Sequence, residues 1–142
     1  MDYITIDLTL ETLNNYSKVI GGQGENKIKG LKIIIPNKYE DWSCYLDFEN
    51  SIGEKYRCIT NKDLDGNAFY EFTAFDTTYK GSLFMDLVLI KDEMVAKPFS
   101  EIFIVKEKIC AEKTPEDFTP IVLSSDAILS NNEIDNLLEK EN

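Results

Sequence analysis

The sequence of 142 residues contains no histidine, which removes the side chain that most often serves as a general base or a metal ligand. A nucleophilic pair of serine or cysteine with histidine is excluded for the same reason. Cysteine is scarce as well: Cys44, Cys58 and Cys110 lie far apart, in no metal or redox spacing. We expect reduced, mostly buried thiols, with a disulfide between Cys44 and Cys58 on adjacent strands as the alternative. The composition therefore predicts a protein that is not an enzyme and holds no cofactor.

Long apolar runs and basic residues are also lacking. No apolar run reaches the roughly 18 residues of a membrane span, and the start, Met1-Asp2-Tyr3, has no basic region of a signal peptide. Only 15 lysines and arginines face 26 aspartates and glutamates, for a net charge of −11. This balance argues against binding to nucleic acid or to an anionic membrane. It favours solubility, and the alternative is an acidic inhibitor of a nucleic-acid enzyme, which requires a dense carboxylate face.

What the sequence does contain is a period-two alternation of apolar and polar residues from residue 4 to about residue 110. It begins with Ile4, Ile6, Leu8 and Leu10, with polar residues between them. Alternation of this kind places one set of side chains on a buried sheet face. Seven or eight short strands separated by turn residues predict an all-β, immunoglobulin-like antiparallel sandwich over residues 1–112.

The strand boundaries follow from the turn residues. We predict long strands at 3–10, 27–35, 42–49, 55–60, 68–75, 82–91 and 100–109, and short ones at 16–20 and 94–96. Residues 42–60 are predicted to form a hairpin. The segment 82–91 is apolar on both sides and is therefore placed centrally, and Pro98 is expected to interrupt the strand pattern.

Residues 113–142 differ in character from the rest of the sequence. Two Thr-Pro steps predict an extended arm, and apolar residues at helical spacing near the C-terminus predict a short amphipathic helix for oligomerisation or docking. A helix of about a dozen residues is marginal alone and needs a partner; a frayed or self-docked tail is the alternative. The predicted interface residues are Phe118, Ile121, Val122, Leu123, Ile134, Leu137 and Leu138.

Four short patterns are compatible with binding or catalysis, and each has a simpler interpretation. Gly21–Gly24 is not followed by the Lys-Ser or Lys-Thr of a phosphate loop and is interpreted as a flexible or positive-φ loop. Asn61–Gly66 resembles the start of a calcium loop, but Phe72 stands where the bidentate glutamate belongs, which favours a hairpin turn. Asp47 and Glu49 are interpreted as residues of a solvated strand face instead of a glycosidase pair. Trp42, with Tyr39 and Tyr45, offers a sugar-stacking platform as the alternative to a core position.

The order of elements resembles a known family. The features that carry the resemblance are the turn Gly22–Asn26 (Gly-Gln-Gly-Glu-Asn), the strand 28–35, the hairpin, Gly81 before a long apolar strand, and the Thr-Pro tail. In this order they are similar to the N-terminal immunoglobulin-like domains of phage baseplate upper proteins and related tail or head-fibre adaptors of Gram-positive phages. The resemblance covers about residues 1–110.

The resemblance implies a non-enzymatic structural protein of a phage virion, made in the host cytoplasm, that contacts other virion proteins. In that family the globular domain attaches to the virion body, while a C-terminal helix or fibre drives trimerisation and carries receptor-binding parts. A homo-oligomer, with a trimer favoured, is expected on this basis. Because the sequence ends at Asn142 with no receptor-binding domain, direct host recognition is not expected. The alternative functions are a carbohydrate-binding module and the acidic inhibitor.

Overall fold

The computed structural model describes residues 1–10 and 14–111. The predicted arm and helix at 113–142 lie outside this part of the chain, and so do all seven predicted interface residues. Within the described residues, nine β-strands and one 3-10 turn at Asn37–Tyr39 make up the regular structure. The strands are β1 Asp2–Asp7, β2 Val19–Gly22, β3 Lys29–Ile34, β4 Ser43–Glu49, β5 Lys55–Ile59, β6 Asn61–Lys62, β7 Ala68–Glu71, β8 Gly81–Lys91 and β9 Met94–Lys106.

The nine strands form two sheets. One is four-stranded, in the order β1-β3-β7-β6, and the other is five-stranded, in the order β2-β9-β8-β4-β5. The alternating apolar residues of both sheets meet in one core, as the sequence predicts. The core residues within strands are Ile4, Ile6, Ile20, Leu31, Ile33, Cys44, Leu46, Phe48, Ala68, Leu83, Met85, Leu87, Leu89, Phe103 and Val105. The predicted all-β sandwich is confirmed.

Two of the seven strand pairs depart from the predicted antiparallel arrangement. β1 pairs with β3, and β2 with β9, in parallel register, whereas the other five pairs are antiparallel. The chain leaves β1 for the opposite sheet at β2 and returns to the first sheet at β3. Such a crossover brings β3 in from the same end as β1, and a parallel pair results.

The hairpin and the central strand are where the sequence predicts them. β4 and β5 are antiparallel neighbours, from Tyr45 opposite Ile59 to Glu49 opposite Lys55. The buried Asn50 holds their connection, since its side-chain oxygen accepts the N–H groups of Ile52 and Glu54. β8 is the middle strand of the five-stranded sheet, which explains its apolar residues on both sides.

The predicted break at Pro98 is wrong, because β9 runs through it from Met94 to Lys106. The register of β8 and β9 shifts between Leu87 and Leu89, so that the ladder skips Lys97 and Pro98 opposite Val88. A bulge leaves the extra residue out of the hydrogen-bonded ladder, and a proline without an N–H fits there. The bulge therefore joins two predicted strands into one.

The predicted strand 68–75 is four residues too long, since β7 ends at Glu71 and the chain then turns around Asp76. The Asp76 side chain is only 2% exposed. Its carboxylate accepts hydrogen bonds from the hydroxyl of Tyr56 at 2.5 Å and that of Tyr70 at 2.6 Å, and from the N–H of Thr73 at 2.8 Å. Burial raises the pKa of both tyrosines, and the contact with Asp76 raises it further, so both hydroxyls remain donors.

The Gly22–Asn26 turn is held by the segment that follows β7. The N–H of Gly24 donates to the carbonyl of Thr77, and the Thr77 hydroxyl donates to the carbonyl of Glu25 at 2.8 Å. The amide oxygen of Asn26 accepts the N–H of Ala74 at 2.9 Å. Gly24 has a φ of +86°, a backbone conformation that favours glycine. The turn is thus a fixed part of the sandwich, and of the two forms predicted for it the structure shows the positive-φ loop.

Gly30 permits a close approach between neighbouring strands. A Cβ atom at this buried position of β3 would lie 2.5 Å from the carbonyl oxygen of Tyr70 and 2.9 Å from the ring of Tyr3. The absence of a side chain therefore lets β3 pair with β7 while Tyr3 packs edge to face on Phe69.

Candidate protein-binding surface

The outer face of the five-stranded sheet carries exposed apolar side chains. We define this face by the strand residues that point away from the four-stranded sheet. Five of its large apolar residues are between 44% and 76% exposed. They are Ile59, Phe84, Val95, Ile102 and Ile104. A sheet face that meets water normally alternates to polar residues, so an apolar group of this kind marks an interaction site.

Strand register brings Phe84, Ile102 and Ile104 to one end of the face, whereas Ile59 and Val95 lie beyond the charged residues. Phe84 of β8 lies opposite Ile102 of β9, and Ile104 of β9 lies opposite Val19 of β2. The sequence carries a signal for this arrangement, because 102–105 of β9 are four consecutive apolar residues. The alternate members, Phe103 and Val105, fill the core. Ile102 and Ile104 are therefore left on the outer face.

Charged residues cross the middle of the face. Arg57 of β5 donates to both carboxylate oxygens of Asp47 on β4, at 2.6 and 2.9 Å. Ser100 donates to Asp86 at 2.5 Å. A depression of about 490 Å³ lies among these groups and is also lined by Phe84. The charged residues that line the depression are three carboxylates and three cations: Asp47, Glu49, Asp86, Lys55, Arg57 and Lys97.

Two further residues lie on the side of the charged row that is away from Phe84. Val88 is fully buried although it points away from the core cluster, and Tyr45 lies opposite it on β4. The guanidinium of Arg57 lies 5.4 Å from the centre of the Tyr45 ring. Arg57 is thus fixed both by a carboxylate and by an aromatic ring.

The ion pair of the face gives a prediction about pH. The hydrogen bond from Arg57 lowers the pKa of Asp47 below its ordinary 3.8. A lowered carboxyl pKa stabilises the fold above the ordinary value, and that contribution is lost as the pH falls through the lowered value. We expect Arg57→Gln to raise the pKa of Asp47 toward 3.8, measured by NMR titration of the carboxyl carbon.

The matched control removes a positive charge elsewhere. Lys80 pairs with Glu107 and is exposed, so Lys80→Gln is expected to leave the Asp47 titration unchanged. An Asp47 pKa that does not respond to Arg57→Gln would show that the pair does not persist in solution.

Of the residues considered for binding or catalysis from the sequence, Tyr45, Asp47 and Glu49 lie on this face, whereas Tyr39 and Trp42 do not. Tyr39 and Trp42 lie edge to face with their planes at 78°, so they do not form one flat platform for a sugar. Trp42 packs against the core and is half-buried. The face itself has as many cations as carboxylates, unlike the dense carboxylate face that an acidic inhibitor requires.

The calcium-like pattern forms a hairpin turn, as the simpler interpretation predicts. The Asp63 carboxylate accepts the N–H groups of Asp65 and Asn67, at 3.0 and 2.9 Å, and Gly66 has a φ of +82°.

Across residues 1–10 and 14–111, no group of three or more acidic or cysteine side chains is placed to hold a metal ion. All three cysteines are free thiols. Nor does any helix in this part of the chain have the length and hydropathy to cross a membrane.

The fold and this face define a β-sandwich domain with apolar side chains exposed on one sheet surface. No family model matches the sequence, and no curated protein matches it. Among solved structures, the chain is similar to the "N-terminal domain of phage TP901-1 ORF48", with a TM-score of 0.45 and 12% sequence identity over 74% of this chain and 97% of that one. A similarity at this level carries no conclusion about the function of this chain.

Proposed function

We propose that the protein is a non-enzymatic structural component of a phage virion that acts through protein–protein contacts, as an adaptor, fibre base or decoration subunit. The observation that carries the contact function is the exposed apolar face of the five-stranded sheet. Apolar patches on a folded surface favour burial against another protein, because burial removes them from water. The virion as the place of action is supported by the sequence resemblance described above.

The sandwich suits a structural role because its two sheets fix the face rigidly. The central strand β8 is paired with β9 from Gly81 to Lys91, apart from the bulge at Val88, and with β4 from Phe84 to Ile90. Under the exposed Phe84 and Ile102, buried side chains of both sheets fill the core. A rigid, preorganised face loses little conformational entropy when it binds.

The test is the presence of the chain in purified particles of the phage that encodes it. We expect quantitative mass spectrometry to find the chain in a fixed number of copies per particle, retained after washing at high salt. An abundant host protein serves as the control for contamination. A chain that is found in the lysate but is absent from washed particles would overturn the proposal.

A further inference from the structure

We propose that the outer face of the five-stranded sheet binds the same face of a second copy of this chain. The inference rests on the proposed function and deepens it, since it names one partner for the surface that carries that function. It depends on three properties of the face: its apolar residues, its local charge and its area.

The apolar part of the face is continuous across three strands. Phe84 is opposite Ile102, and Ile104 is opposite Val19 on the next strand, β2. Phe84 and Ile102 are exposed by 45% and 46%. Half-exposed aromatic and branched side chains at the centre of a patch are the positions at which burial contributes most to binding.

The local charge of the face separates it from the rest of the chain. The whole chain has a net charge of −11, so contact between two arbitrary surfaces brings together an excess of negative charge. The six charged residues that line the depression in this face are three carboxylates and three cations, and they sum to zero. At this depression a second copy of the same face therefore meets a region without net charge, in which each sign has a counterpart. A strongly basic partner finds no matching excess of acidic groups here.

The area of the face is that of a weak, reversible dimer. β8 and β9 span the rows from Ile104 to Val95, whereas β4 and β5 span part of them and β2 meets them only at Ile104. With strands about 4.8 Å apart and about 3.4 Å per residue, the face covers about 500 Å². A standard stable interface buries about 800 Å² per partner. The same face on both copies makes a closed, two-fold contact, which has no tendency to extend into a fibre.

The experiment measures self-association of the full chain by sedimentation equilibrium at concentrations from about 1 to 500 μM, which bracket the affinities of weak interfaces. The buffer contains about 150 mM salt, where the Debye length of about 8 Å limits repulsion between the two acidic chains. We expect a reversible monomer–dimer equilibrium. Phe84→Glu is expected to weaken dimerisation at least about tenfold, because it buries an unpaired charge within the contact.

Two other variants keep the test decisive. Ile59→Glu changes an edge-strand residue that is 76% exposed, so the fold tolerates it, and it is expected to weaken dimerisation in the same direction. Leu64→Glu is the matched control, because Leu64 is fully exposed in the turn between β6 and β7, on the other sheet. It is expected to leave the dissociation constant unchanged. Circular dichroism and thermal unfolding confirm that each variant is folded.

A chain that remains monomeric at every concentration overturns the inference, as does an equal effect of Leu64→Glu and Ile59→Glu. The outcomes are separable from those of the proposed function. A monomeric chain in washed virions removes this interface and keeps the virion role. A dimer that is absent from virions keeps the interface and removes the role.

Discussion

Replacement of Phe48 by alanine is expected to lower the free energy of unfolding by about 3–5 kcal/mol. Phe48 lies on β4, is 2% exposed and occupies the space between the two sheets. Its ring contacts three other aromatic rings, those of Tyr56, Tyr70 and Phe72, with centroids between 5.4 and 6.2 Å away. The substitution removes the ring from the core and leaves a cavity that rigid neighbouring strands cannot fill.

The measurement is urea denaturation followed by circular dichroism. The matched control is Phe84→Ala, which removes the same side chain from the neighbouring strand at a position where it is 45% exposed. Because about half of that ring already meets water, we expect a loss of about 1 kcal/mol. Equal losses for the two variants would contradict the packing of Phe48 in the core.

Replacement of Asp76 by alanine is expected to cost about 3 kcal/mol of stability, since each buried donor left without a partner costs about 1–3 kcal/mol. The substitution removes the acceptor of the Tyr56 and Tyr70 hydroxyls and of the Thr73 N–H at once. The groups that donate hydrogen bonds to the Asp76 carboxylate are all neutral. The stability of this network therefore depends on every one of these donors. Asp76→Asn keeps an acceptor oxygen and is expected to lie between the wild type and alanine.

The same substitution has a local readout. The turn around Asp76 presents Thr77, whose carbonyl accepts the N–H of Gly24. We therefore expect faster hydrogen exchange at Gly24 in Asp76→Ala, while amides in the middle of β8 exchange more slowly than Gly24. Asp65→Ala, in the exposed turn between β6 and β7, is the control and is expected to change stability by less than about 0.5 kcal/mol. Unchanged exchange at Gly24 would show that the turn does not depend on Asp76.

Local patterns allowed much of the fold to be predicted. The hairpin of β4 and β5 follows from alternation on both sides of the Asn50–Gly53 connection, and the Asp63–Gly66 turn follows from its Asp-Gly step. The central place of β8 follows from apolar residues on both of its sides. In each case the evidence lies within one strand or one turn, where the alternation of side chains and the backbone preferences of single residues determine the local structure.

Predictions failed where distant residues decide the structure. Pro98 reads locally as a break, yet the bulge opposite Val88 accommodates it. The alternation from Phe72 to Phe75 predicts a continued strand. In the structure the chain turns there instead, and Asp76 accepts hydrogen bonds from Tyr56 and Tyr70. The parallel pairs also depend on which sheet receives β2, and no alternation pattern encodes that choice.

The sequence by itself determined which side chains point to the core, because alternation has a period of two in any extended strand. It did not determine which strands are neighbours, since strand order depends on packing between residues far apart in the chain. Only the tertiary structure brought Ile59, Phe84 and Ile102 to one face of one sheet, where each is exposed. For the same reason, the candidate binding surface became visible only once the strands were placed side by side.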